Sequence, residues 1–135
     1  MEDNPDEQLL MLRALRGHGV AAIKVADDGV LALQHIFGAQ DSATPVLPGF
    51  VILDLKLPRL DGFEVIGRLR ADARTRPLPI VVFSSSAEDG DVRRSYEMGA
   101  NGYVSKPVGA ERYYTAVGAI LSYWMDYNQD PYRRP

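Results

Sequence analysis

Apolar positions along this chain fall into two patterns, amphipathic stretches with helical spacing and short unbroken runs, and the two take turns. Asn4-Pro5-Asp6-Glu7 predicts a helix start, with a capping side chain, proline in the first turn and acids facing the positive end of the helix dipole. That helix is expected to run to about Arg16, where Gly17 and Gly19 can take the positive φ of a C-cap. Val20 to Ala26 predicts a short strand. Asp27-Asp28-Gly29 then opens a second helix carrying Val30, Leu33, His35, Ile36 and Phe37 to Gly38. Ala39 to Gly49, rich in turn formers, predicts a surface loop.

Phe50-Val51-Ile52-Leu53 is an unbroken apolar run of the kind buried on both faces of a parallel sheet, and Asp54 interrupts it at its C-terminal end. Gly62 to Ala73 is amphipathic, with Phe63, Val65, Ile66 and Leu69 on one side and arginines on the other. Pro77 and Pro79 precede a second buried run, Ile80 to Phe83. A helix over Ala87 to Met98 capped by Gly99, a strand over Gly102 to Ser105, and a last helix from Ala110 to about Asp126 complete the pattern. Strands that are apolar throughout, alternating with helices, predict an α/β fold: a parallel sheet with helices on both faces. In such sheets function gathers at the carboxyl ends of the strands, at the topological switch point.

The length, 135 residues, suits one domain with a continuous core. Hydrophobic residues at 46% and charged ones at 24% argue against disorder. A net charge of −3 gives no electrostatic case for nucleic acid or an anionic membrane. With no cysteine, disulfides, thiolate metal sites and thiol nucleophiles are excluded. No apolar run approaches the length of a membrane span, and Glu2-Asp3-Asn4 after Met1 does not resemble a signal peptide. A soluble cytoplasmic protein is the expectation.

Polar residues collect at the predicted strand ends. Glu2 and Asp3 precede the first helix, Asp54 and Ser84 each end a strand, and Lys106 follows the last one. All would project from one edge of the sheet. Converging acids repel one another unless a cation joins them, and Mg²⁺, which takes few protein oxygens and keeps several waters, suits this set. A carboxylate beside Mg²⁺ and a lysine can attack a phosphoryl group, whose charge the metal and the ammonium offset.

Four stretches together, Glu2-Asp3-Asn4-Pro5, Leu53 through Gly62, Phe83 through Ser86 and Gly99 through Pro107, resemble the receiver domains of response regulators, in that family's order and spacing. The resemblance implies a flavodoxin-like doubly wound sheet of strand order 2-1-3-4-5, with a receiver domain over 1–126 and a C-terminal tail over 127–135. It implies that Asp54 is the phosphoacceptor, fed by a histidine kinase. Glu2, Asp3, Asp54 and the backbone carbonyl of Lys56 would hold Mg²⁺, Asp3 directly and Glu2 through water. Lys106 would pair with the phosphate, and the bond before Pro107 would be cis. Ser84 would be the switch hydroxyl and Tyr103 the aromatic that moves with it. Lys56 and Ser86 would flank the phosphoryl group.

Within the family the start Glu-Asp-Asn-Pro, the long loop before Phe50 and the pair Tyr123-Trp124 resemble small single-domain regulators of phytochrome-type kinases. Tyr113, Tyr114, Tyr123, Trp124, Tyr127 and Tyr132 are more aromatics than one helix face can bury, which points to a homodimer through the last helix and tail. His18 and His35 have no partner of metal-binding type in the pattern and are expected to be structural or solvent-facing. With no output domain in the chain, readout would run through protein binding or a histidine phosphotransfer protein, and the protein would be a switch and not an enzyme. A metal-dependent phosphatase needs a second aspartate two residues after the nucleophile, where this chain has Lys56. A constitutive interaction module would have lost the acids or the lysine.

One feature departs from the family. Only Met1 stands where an apolar central strand should precede the acidic pair. Its loss would open a gap of roughly 10 Å between the flanking strands. About five side chains at roughly 1.5–3 kcal/mol each would go unburied, comparable to a net domain stability of about 5–15 kcal/mol. A start internal to the reading frame is expected, with a closed-up sheet or a donated strand as alternatives. The α-amino group of Met1 would lie near Glu2 and Asp3 and compete with Mg²⁺, giving weak metal binding and slow phosphorylation.

Overall fold

The computed structural model of the chain describes residues 1–20, 22–38 and 47–129. Helix α1 spans Pro5–Gly17, and Asn4 caps it by accepting hydrogen bonds from the amides of Asp6 and Glu7 at 2.9 and 3.3 Å. Helix α2 spans Gly29–Phe37, with the Asp28 carboxylate accepting from Leu31 N–H at 2.8 Å. Strand β1 (Val51–Leu53), helix α3 (Gly62–Ala71), strand β2 (Ile80–Ser84), helix α4 (Asp89–Met98), strand β3 (Gly102–Ser105) and helix α5 (Ala110–Leu121) follow. A π-helical stretch, Ser122–Tyr127, continues α5.

The three strands form a parallel sheet in the order β1-β2-β3, the 3-4-5 part of the expected order. Alternation along β2 feeds two cores. Ile80 and Val82 pack with Val51, Leu53 and the apolar faces of α2 and α3, including Ile36, Phe63, Ile66 and Leu69. Val81 and Phe83 pack on the opposite face with Ala14 and Leu15 of α1 and Tyr113, Val117 and Ile120 of α5. A strand buried on both faces has no polar side to offer, which is why its sequence is uninterrupted.

The place of the expected central strand is occupied at its carboxyl end by Met1. Its ammonium donates to the Ile52 carbonyl at 2.9 Å, its carbonyl accepts from Asp54 N–H at 3.1 Å, and Glu2 N–H donates to the Ala26 carbonyl at 3.0 Å. Met1 and Glu2 thus bridge β1 and the segment ending at Ala26. Val20 to Ala26, expected as a strand, is not one among its described residues; the Glu2 amide gives it a hydrogen bond, but a ladder needs a partner along its length. The α-amino group binds a strand carbonyl, although Glu2 and Asp54 are close enough for their charges to act on it. Burial of this ammonium pulls its pKa down to about 6.

Other boundaries shift by one turn or less, save the end of the last helix. Helix α3 stops at Ala71 because Asp72 turns extended and binds Arg74 through backbone and guanidinium. Helix α4 starts at Asp89, since Glu88 is extended and its amide donates to Ser86 Oγ. The last helix leaves α-geometry at Ser122. His18 stays exposed with its ring tilted against Tyr114 at 4.6 Å, and His35 Nε2 lies 3.0 Å from the Val25 carbonyl, in line with the structural or solvent-facing places expected. Most of the loop over 39–49, Tyr132 and most of the tail over 127–135 lie outside the described residues.

Candidate functional site

Asp54 is the first residue beyond β1, and two contacts hold its backbone. Its N–H is fixed on Met1, and Gly62 at the start of α3 packs so closely that a Cβ there would sit 2.6 Å from the Asp54 carbonyl oxygen. Only glycine permits that approach. The carboxylate is buried; Oδ1 accepts from Lys56 N–H at 3.0 Å and Oδ2 from the Lys106 ammonium at 2.7 Å.

Lys106 arrives from the far side of the sheet. Its backbone N–H donates to the Ser84 carbonyl at 2.8 Å, extending the β2–β3 ladder by one bond, and its ammonium reaches back across β2. There it meets Glu2 Oε2 at 2.6 Å, Glu7 Oε2 at 2.7 Å and Asp54 Oδ2. Glu2 is buried, Asp3 is exposed, and one oxygen each from Glu2, Asp3 and Asp54 lie within 4.8 Å of one another. Residues far apart in sequence, expected to share one edge of the sheet, do meet.

Burial works against every charge here. It raises Asp54, but the hydrogen bonds from Lys106 and from the Lys56 amide outweigh it and leave the carboxyl below its usual range. Burial lowers Lys106, yet its carboxylate partners more than reverse this and hold the ammonium charged. For Glu2 burial prevails over the Lys106 bond and pushes the carboxyl up to about 7. The result is an ionised carboxylate beside a fixed cation.

Ser84 ends β2, wholly buried, one register step beyond the level of Asp54, and its Oγ accepts from Ser86 N–H at 3.4 Å. Tyr103 of β3 donates its hydroxyl to the Ser86 carbonyl at 2.7 Å, and burial raises its phenol. The Lys56 side chain is exposed while its amide serves Asp54. The bond before Pro107 is trans, correcting the cis expectation, in line with the modest trans preference that X-Pro bonds keep. The residue that sequence reasoning missed is Glu7. Its place in the first turn of α1 is accounted for by the helix dipole alone, so nothing in the pattern marks it as a lysine ligand.

Comparisons with known proteins fit this geometry. Residues 1–118 match the family model described as the response regulator receiver domain. The probable methanogenesis regulatory protein FilR2 of Methanothrix harundinacea is 35% identical over 132 residues, covering 97% of this chain and 84% of its own. The crystal structure of the phosphorylated cyanobacterial phytochrome response regulator RcpA matches with TM-score 0.89 at 28% identity, over 97% of this chain and 94% of that one. The Mn²⁺-bound form of response regulator Rcp1, a protein of Synechocystis, matches with TM-score 0.83 at 26% identity, over 97% and 95%.

Proposed function

This chain belongs to the response regulator receiver domain family, a part of two-component signalling, and from that premise we propose that Asp54 accepts a phosphoryl group with Mg²⁺ beside it. The donor is a histidine kinase, phytochrome-type by similarity to RcpA and Rcp1, acting in the cytoplasm. Among the described residues no helix is long and apolar enough to cross a membrane. The observation that carries the reading is the Lys106 ammonium on Asp54 Oδ2 at 2.7 Å, inside a carboxylate cluster.

The donor set fits a hard divalent cation: oxygens of Glu2, Asp3 and Asp54 converge, with the Lys56 carbonyl as the further ligand. When bound, Mg²⁺ neutralises charge on the transferring phosphoryl group. This chain's residues do the rest. An Asp54 carboxylate oxygen attacks phosphorus, forming an O–P bond as the donor's P–N bond breaks. The electron pair leaves on an imidazole that departs neutral when its other nitrogen carries a proton. The Lys56 amide orients Asp54, and Lys106 offsets the new negative charge. Ser84 donates its hydroxyl to the phosphoryl group, and Tyr103, tied now to the Ser86 loop, moves with it. Readout follows by binding another protein or a histidine phosphotransfer protein, with the last helix and its extension as a homodimer face.

Incubation with acetyl phosphate and Mg²⁺, followed by intact mass, tests the assignment. One phosphoryl adduct is expected, absent in Asp54→Ala and reduced without Mg²⁺. An adduct that survives in Asp54→Ala would refute it.

A further inference from the structure

The Lys106 ammonium has three N–H donors, and three carboxylates lie at bonding distance: Glu2, Glu7 and Asp54. Two of these acids belong to the phosphorylation site just described. The third, Glu7, stands on α1, five residues beyond Glu2, and its side chain keeps 36% of its surface exposed while that of Lys106 keeps 6%. A phosphoryl group on Asp54 would add negative charge and need an N–H from Lys106, yet each donor already has an anion.

We propose that Glu7 is a positioning residue for phosphorylation: it holds the Lys106 ammonium from the α1 side and, through its charge, restrains Asp54 from accepting a dianion. This rests on the reading of Asp54 as the phosphoacceptor. Two effects act in the same direction. The Glu7 carboxylate competes with phosphoryl oxygens for the lysine, and it adds to the negative field an anionic donor must enter. Glutamine in its place can still accept the Lys106 bond through its amide oxygen, so Glu7→Gln removes the charge and keeps the contact. Aspartate keeps the charge. The helix start is left intact in both, because Asn4 takes its bond from the backbone amide of residue 7.

The test is the initial rate of phosphoryl adduct formation from acetyl phosphate with Mg²⁺, on wild type, Glu7→Gln and Glu7→Asp, at low salt and at 1 M salt. Glu7→Gln is expected to react about two- to fivefold faster, the size of one partly exposed charge pair. Glu7→Asp should bring the rate back toward wild type. The gain should shrink at 1 M salt, where the Debye length is about 3 Å. A merely structural Glu7 would give no salt-dependent gain. If wild type forms the adduct and Glu7→Gln, folded by circular dichroism, is no faster, the role of Glu7 is overturned. If wild type and both variants form none, the reading of Asp54 fails instead, and this role with it.

Discussion

Tyr113 shows how one buried group sets a local energy. Its ring packs edge-on to Phe83 at 5.2 Å, but its hydroxyl has no hydrogen-bond partner among the described residues. An unpaired buried donor costs about 1–3 kcal/mol, so Tyr113→Phe is expected to stabilise the fold by about 1 kcal/mol, read as a higher urea midpoint at unchanged m. Burial also pushes the phenol up to about 12 from 10.0. The folded state therefore favours the neutral form, and its stability falls as pH rises from 10 toward 12; Tyr113→Phe should flatten that alkaline loss. Glu2 follows the same sign at lower pH. Its carboxyl is raised from 4.5 to about 7 by burial, so its contribution is full below pH 4.5 and is lost as pH rises through 7. The Met1 ammonium, lowered from 8.0 to about 6, opposes it, losing stability as pH falls from 8 to 6. Urea midpoints of Glu2→Gln across pH 4.5–7 should vary less than those of wild type. At this scale Asp54 was legible because an apolar run ending in an acid is itself unusual, whereas Glu2, Asp3 and Lys106 were legible through the four stretches that resemble receiver domains. Glu7 was not, since a glutamate early in a helix needs no other reason to be there.

Among the elements, the corner joining α3, α4 and the sheet depends on Arg70. Its guanidinium donates to the carbonyls of Gly99, Arg76 and Leu78 at 2.9, 2.8 and 2.7 Å, and to Asn101 Oδ1 at 2.9 Å. That same Asn101 oxygen accepts from Ile80 N–H at 2.8 Å, so the end of α3 ties the α4–β3 turn to the start of β2. Gly99 completes the corner at φ 110°, where a Cβ would also approach Arg70 within 2.9 Å. Arg70→Ala is expected to cost about 1.5–3 kcal/mol, the value of hydrogen bonds to a charged group. Arg70→Lys should recover little of it, because one ammonium cannot reproduce a planar fork. Thermal unfolding of both variants checks this. Helical spacing and caps placed every helix to within a turn, except that the last leaves α-geometry five residues before its expected end and continues as a π-helix. The strand expected over Val20 to Ala26 failed because apolar spacing reports burial, whereas a strand also needs a neighbour to pair with along its length.

Taken whole, the described residues form a three-stranded sheet with a core on each face, and the π-helical extension of α5 carries exposed side chains. Tyr113 lies in the core, Tyr114 covers His18, and Trp124 packs on Phe50 with ring centroids 6.5 Å apart. Tyr123 and Tyr127 stay 53% and 73% exposed, with Met125 between them. Among the described residues Tyr114 also stays 41% exposed, and Tyr123 and Tyr127 form a short outward patch, the surface that the proposed homodimer would bury. Replacing Tyr123 and Tyr127 together by alanine is expected to weaken self-association by about tenfold or more, the scale of an aromatic hot spot, without lowering thermal stability. Sedimentation velocity at tens of micromolar reads the change. A monomeric wild type under those conditions, with and without phosphoryl donor, would overturn the dimer.

The sequence by itself determined the alternation of helices and apolar strands, the α/β class and the identity of the acids and lysine at the strand ends, because periodicity, caps and buried polar residues are local signals. Only the tertiary structure decided that Met1 and Glu2 bridge β1 and the segment ending at Ala26. It alone brought Glu7 onto Lys106, left the Tyr113 hydroxyl without a hydrogen-bond partner among the described residues and turned Trp124 inward. These outcomes depend on which backbone and side-chain atoms meet across the sheet, and no spacing along the chain encodes that distance.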